Sequence, residues 1–343
     1  MAPKISVLIP VRNGEKTLAK CLESVLDTGY KNYEIVVVDN SSKDDTKNII
    51  REFEKKDKKV RYSFEPKISR GAARNRGFQD SSGSIIAMID SDCIAPKNWV
   101  FRISRPIILG KARIVQGSES SEEKSPLALM QQRHNRELLK RNIKGDYIDH
   151  IDTKNFAIKR NILEKAGGFS ELGDLEDFEL KIKLKELGYK IYFLKIPAVR
   201  HHHREDILSL FRRRVNQGYW SYKIYRMHAG YAEKNPEEMF GAIRPEAFFR
   251  FFYPYMRNYS RKHSSEESFF EFFTGLAWRI GLLKGGIFPD LADYLSGKLI
   301  NFFRSCLNKA AGLAGRMIKR IHPSWYYFLK RKKNGEEKSR DKK

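Results

Sequence analysis

The chain of 343 residues is 41% hydrophobic and carries a formal net charge of +24. This allows one large α/β domain with an appendage, or two domains, and calls for an anionic partner: nucleic acid, an anionic membrane face or a phosphorylated substrate. The three cysteines, Cys21, Cys93 and Cys306, have no metal-like spacing and exclude a disulfide framework. No run reaches the roughly 18–20 apolar residues needed to span a bilayer, and the first ten residues enter a strand at once rather than reading as a signal peptide.

In chain order, residues 5–9 form an apolar strand stopped by Pro10. Residues 17–26 have helical spacing, with Leu18, Cys21, Leu22 and Val25 on one face. Residues 33–38 read as a buried strand ending at Asp39, 44–56 as a helix, and 60–64 as a third strand. A short helix over 71–80 and a fourth strand over 85–89 follow. Strand–helix alternation at this pitch predicts a doubly wound, mainly parallel sheet. Continuous Val/Ile strands fit burial on both faces. Ligands of such sheets bind beyond the carboxyl ends of the strands. The polar residues Arg12, Asn13, Asp39 to Ser42, Arg70 and Asp90 to Asp92 all fall at that edge.

Further on, 112–117 and 190–194 read as strands, and 127–140 and 178–187 as helices, the last stopped by Gly188. From about 205 aromatics and cations interleave, as in 248–253 and 269–273, with no strand pattern. The last 43 residues hold 13 Lys/Arg against 3 Asp/Glu, and the final ten or so are expected to be disordered.

Four segments stand out together: 6–15 (Ser-Val-Leu-Ile-Pro-Val-Arg-Asn-Gly-Glu); Ile35 to Ser42 with Asp44-Asp45-Thr46; Arg70 to Gly77 leading into Asp90-Ser91-Asp92; and Gly167-Gly168-Phe169 followed by Leu175-Glu176-Asp177-Phe178. In this order and spacing the chain resembles the family 2 glycosyltransferases over about residues 4–220. The resemblance implies the GT-A fold, an α/β nucleotide-binding sheet flanked by helices, with a helical C-terminal extension. It implies a catalytic domain over 1–220, split into a nucleotide-sugar half (1–115) and an acceptor half (116–220). A basic, aromatic helical region over 221–330 and a basic tail over 331–343 would follow.

The same resemblance assigns roles. Asp39 would accept a hydrogen bond from a nucleotide base, flanked by Pro10, Val11 and Arg12; the position equally suits an Asx turn or helix cap. Arg70 and Arg74 would neutralise phosphate or pair with the acidic residues. Asp92, with Asp90 in a ribose or water-mediated role, would hold Mn²⁺ or Mg²⁺, since hard divalent ions favour oxygen ligands. Asp177 would be the base of an inverting transfer, supported by Glu176; an acidic first turn also suits the helix dipole. Asn155 would line the donor and acceptor sugar, His201 would complete the metal shell, and Arg213 would contact diphosphate or anionic lipid. Three consecutive imidazoles, His201 to His203, cannot converge on one ion from a strand, because alternate side chains point oppositely.

The expected donor is a UDP-sugar, or a GDP- or dTDP-sugar, and the acceptor a glycan, a lipid-linked one among the options. The Gln-x-x-Arg-Trp motif of processive members is missing, which favours single-sugar transfer. Basic amphipathic patterns over 269–283 and 299–318 suit peripheral attachment to an anionic, cytoplasmic membrane face, or else a helical subdomain packed on the core. Three rivals carry less: a nucleotidyltransferase, which would want a Gly-rich loop after the first strand; a basic nucleic-acid-binding protein, for which no module is recognisable; and a non-catalytic sugar-nucleotide scaffold.

Overall fold

The computed structural model describes residues 2–121, 125–201, 207–235 and 265–286. The aromatic run 248–253, the amphipathic pattern 299–318, the tail 331–343 and His202 and His203 lie outside these residues. The chain divides into two compact units, one of residues 1–123, 131–203 and 224–241, the other of 124–130, 204–223 and 242–343.

The first unit is built on a mixed sheet. Strands β1 (Ile5–Val11), β2 (Tyr33–Asp39), β3 (Val60–Phe64) and β4 (Ile85–Met88) pair in parallel in the order β3-β2-β1-β4. Alternate side chains of β1 leave on opposite faces and both faces are covered. Val7 and Ile9 pack with Leu18 and Leu22 of helix α1 (Leu18–Leu26), and with Ile50 of α2 (Thr46–Lys56). Leu8 packs with Val36, Val38 and Ala73, the last from α3 (Arg70–Asp80). Each fully buried aliphatic side chain contributes about 1.5–3 kcal/mol, so the continuous apolar strands are what a sheet covered on both faces requires.

Beyond β4 the sheet turns mixed. β9 (Phe156–Lys159) runs antiparallel between β4 and β6 (Ile114–Ser121), and β10 (Ile191–His201) pairs in parallel with β6. β10 also carries the two-residue β5 (Cys93–Ile94) and β8 (Tyr147–Ile148), and β7 (Ile143–Lys144) closes the edge. β6 and β10 run longer than their apolar cores over 112–117 and 190–194. Their polar ends stay in the ladder, and β10 does so through an irregularity between Leu194 and Ala198. Helix α4 (Trp99–Ile108) is not among the expected elements, although its apolar residues recur at helical spacing. Pro106 removes a backbone donor inside it, yet Trp99, Val100, Ile103 and Ile107 are buried in the core, and that burial decides the conformation. The unit also holds α6 (Arg160–Lys165), α7 (Glu176–Glu186) and α9 (Ala229–Lys234), and most of α5 (Pro126–Asn142).

The second unit contains most of α8 (Ile207–Met227) and all of α10 (Ser265–Gly285). These pack through Phe211, Phe273, Ala277 and Ile280, so the apolar stripe of α10 serves as ordinary core. At their crossing a Cβ on Gly218 would lie 1.8 Å from the Trp278 carbonyl oxygen, which leaves room only for glycine. Among the described residues no helix is long and apolar enough to cross a membrane.

Candidate active site

The carboxyl ends of β1 and β2 are cross-linked before any site residue is considered. The Gly14 N–H donates to Thr46 Oγ1 at 2.8 Å and the Asn13 N–H to Ser42 Oγ at 2.9 Å. Asn13 and Ser41 both hold positive φ, 54° and 59°. Asp39 is buried there; its Oδ1 accepts from the Ser42 N–H at 2.9 Å, and Oδ2 from the Tyr62 hydroxyl at 3.4 Å. The Asx turn after the strand is therefore present. Pro10 and Arg12 keep solvent contact beside it, while the Val11 side chain belongs to the core and its carbonyl accepts from the Asn40 N–H.

Helix α3 is set by a close approach. A Cβ on Gly71 would lie 1.8 Å from the Ser170 carbonyl oxygen, so only glycine lets the start of α3 abut the 167–171 loop. Asn75 fastens the same contact, donating to the Phe169 carbonyl at 2.8 Å and accepting from its N–H at 2.9 Å. This seats two arginines against acids from distant segments. Arg70 pairs with Asp174 at 3.0 Å. Arg74, 3% exposed, pairs with Asp90 at 3.1 Å and with Glu176. Its guanidinium is thus already committed to both acidic motifs. Burial opposes its charge, but Glu176 and Asp90 outweigh that and raise its pKa.

Glu176 and Asp177 open α7. The preceding Leu175 is left-handed, with φ of 62°, a conformation costing a non-glycine residue on the order of 1–3 kcal/mol and concentrated at functional sites. Leu175 is held by packing with Ile182, Ile224 and Tyr231. Leu180 and Leu184 anchor α7 on the sheet side, so it is covered on more than one face and shows little helical periodicity. Burial first, then the charges of Glu176 and Asp152, push Asp177 up to about 7 against the opposing pull of Arg74.

Asp92 behaves in the opposite way. His201 and Lys154 hold its carboxyl below the ordinary range although burial opposes them. His201 arrives on the far end of β10, where it pairs in register with Cys93. Its Nε2 lies 3.6 Å from Asp92 Oδ2. Asp92, Cys93 and His201 could each offer a ligand atom within 4.8 Å of the others. Burial raises the Cys93 thiol well above its ordinary value, so it stays protonated. A carboxylate oxygen with an imidazole nitrogen is a donor set that Mn²⁺ or Mg²⁺ accepts, whereas a protonated thiol is not.

A second set of charges adjoins these, one that no sequence motif marks: Glu119, Asp152 and Lys154. Lys154 Nζ lies 2.7 Å from Glu119 Oε2 and also contacts Asp152. Asp152 acts on Asp177 and Lys154 on Asp92, so the set stands between the two ends of the site. In the sequence this set adjoins Asn155, the residue expected to line the donor and acceptor sugar. Asn155 is 1% exposed; its Oδ1 accepts from Trp99 Nε1 and its Nδ2 donates to the Ser118 carbonyl, both at 2.8 Å. It packs over Gly117, where a Cβ would fall 2.1 Å from its Nδ2. The amide thus ties α4 to β6 through Trp99 and the Ser118 carbonyl. Arg213 lies on α8 in the second unit.

Residues 6–167 match the family described as glycosyl transferase family 2. The chain carries a glycosyl transferase family 2 domain. It is 31% identical over 211 residues to the probable glycosyltransferase YdaM of Bacillus subtilis (strain 168), covering 56% of this chain and 49% of that protein. It is 32% identical over 92 residues, 26% of this chain and 30% of the relative, to the GalNAc(5)-diNAcBac-PP-undecaprenol beta-1,3-glucosyltransferase of Campylobacter jejuni. Among solved structures, the mannosyltransferase PcManGT of Pyrobaculum calidifontis, in complex with GDP-Man and Mn²⁺, shares the fold. It superposes with a TM-score of 0.52 at 16% identity, covering 96% of this chain and 85% of that one. The family 2 domain therefore has the expected GT-A architecture. The chain spans less than two thirds of the length of the curated relatives it matches.

Proposed function

We propose that this chain is a metal-dependent, inverting glycosyltransferase that moves one sugar from a nucleoside-diphosphate sugar to an acceptor hydroxyl. The observation that carries this reading is the opposed tuning of two aspartates, Asp177 pushed up to about 7 and Asp92 held low. Carboxylates whose environments drive them apart mark the acid–base and the charge-holding roles. A base operating near pH 7 wants a pKa near 7. In the transfer, Asp177 takes the acceptor hydroxyl proton as the acceptor oxygen bonds to the anomeric carbon. The bond to the diphosphate breaks and its electron pair leaves with the nucleotide.

Asp92 and His201 would hold the metal, with Asp90 beside them. A divalent cation supplies charge stabilisation for the departing diphosphate. Charge balance supports the need for one: Asp90, Asp92, Glu119, Asp152, Asp174 and Glu176 outnumber Arg70, Arg74 and Lys154. An anionic donor would be repelled without a bridging cation. Asp39 with Pro10, the Val11 backbone and Arg12 would receive the nucleotide base, a uridine first, and Arg213, on the second unit, would serve anionic lipid.

The acceptor we favour is a lipid-linked or membrane-near glycan, in line with the undecaprenol-linked substrate in the name of the Campylobacter relative and with the +24 charge. We place the protein peripherally on the cytoplasmic membrane face. Flotation with anionic and neutral vesicles checks the placement; equal failure with both removes it. The test of the activity is release of nucleoside diphosphate from a panel of UDP-, GDP- and dTDP-sugars, with Mn²⁺ or with chelator. Metal-dependent release from one donor supports the reading. Absence both of release and of metal-dependent UDP or GDP binding overturns it.

A further inference from the structure

Glu119 stands behind His201 in the way a carboxylate stands behind a metal-bound imidazole. His201 presents Nε2 to Asp92 at 3.6 Å and Nδ1 to Glu119 Oε2 at 3.8 Å. The two ring nitrogens thus face two different carboxylates, one in the expected metal site and one behind it. The strands enforce the arrangement: His201 lies opposite Ser121 and Val199 opposite Glu119 in the parallel β6–β10 ladder, which puts the Glu119 and His201 side chains on one face of the sheet. Glu119 itself is immobilised. Its Oε1 accepts from Asn135 Nδ2 at 2.7 Å and its Oε2 meets Lys154 Nζ at 2.7 Å, with its side chain 8% exposed.

We propose that Glu119 is a positioning residue for the metal site: it fixes the ring orientation of His201 so that Nε2 is presented beside Asp92, while Asn135 and Lys154 hold Glu119 in place. The inference rests on the metal reading above. A ligating histidine directs its second ring nitrogen to a carboxylate, carbonyl or water, which sets tautomer and ring angle, and loss of that partner lowers metal affinity about 10–100-fold. Here the distance of 3.8 Å exceeds a hydrogen bond; a small rotation of the ring with an ion on Nε2 brings Nδ1–H onto Oε2. Glu119 touches no reacting atom in this scheme.

The experiment is Mn²⁺ binding to the full chain, followed by the electron paramagnetic resonance of free Mn²⁺, alone and with UDP or GDP. Glu119→Ala should weaken binding about 10–100-fold, and Glu119→Gln, which keeps an acceptor oxygen, should recover most of it. In a His201→Ala background, Glu119→Ala should add no further loss, because it acts through the ring. Melting temperatures recorded alongside separate misfolding from lost affinity. If wild type binds Mn²⁺ and Glu119→Ala binds it equally well per folded molecule, the inference is overturned while the metal reading stands. It is overturned in the same way if Glu119→Ala still weakens binding about tenfold without His201. If wild type binds no Mn²⁺ under any condition, the metal reading falls and this inference with it.

Discussion

Arg74 lies 3.1 Å from Asp90 with a guanidinium that is almost wholly buried. The same group reaches Glu176, 102 positions later in the chain. One cation thus ties the acid at the end of β4 to the acid that starts α7. Removing one partner of a buried ion pair leaves charge uncompensated, at about 3–5 kcal/mol. Arg74→Ala should therefore lower the unfolding free energy from urea titration by that amount. Arg74→Lys should recover less than half of it, because a point charge cannot span two carboxylates as a planar fork does. Equal stability of wild type and Arg74→Ala would show that the tie contributes nothing.

Asp177 links activity to stability with opposite signs. Its folded pKa, about 7, lies above the ordinary 3.8, so its contribution to stability is fully present below pH 4 and is lost as pH rises through 7. Asp177→Asn should thus raise the melting temperature at pH 8, by the equivalent of about 4 kcal/mol at most, and should have little effect at pH 4. Transfer by the wild type should rise with pH through about 7 as the base deprotonates, and Asp177→Asn should lose it. A variant that is both active and no more stable at pH 8 would contradict both halves.

Asp92→Ala should reduce nucleotide-sugar turnover by about 100-fold or more, as chelation of the wild type should. The two treatments should not compound. Turnover in Asp92→Ala that still responds to added Mn²⁺ would move the metal elsewhere.

Glu34 should govern acid stability far from this site. Burial would raise its pKa, but the Ser82 N–H, the Ser6 hydroxyl and Lys4 outweigh it and hold the group at about 2. Its contribution is therefore present above the ordinary 4.5 and is lost as pH falls towards 2. Glu34→Gln should cost about 3 kcal/mol at pH 7 and almost nothing at pH 2. Chemical denaturation at the two pH values reads the difference directly.

What the chain by itself determined is local. The continuous apolar runs β1, β2 and β4 read as strands covered on both faces, because they are short, rich in Val and Ile, and alternate with helical segments. Asp39, Asp90 and Asp92 announced themselves as acids at the mouths of such strands. Glu176 and Asp177 stood out as acids before a run with helical content. Only the tertiary structure decided the rest. Glu119 sits on the polar tail of β6, where no apolar period betrays a strand, and its partners are 16, 35 and 82 positions away. Lys154 and Asp152 carry no motif, and their weight appears only when Glu119 and Asp177 are brought against them. Asn155 looked accessible in sequence, yet Trp99 and Ser118 enclose it. Periodicity reports which face of an element is apolar; it carries nothing about which distant charges the finished sheet brings together, and those charges set the proton affinities on which the proposed chemistry depends.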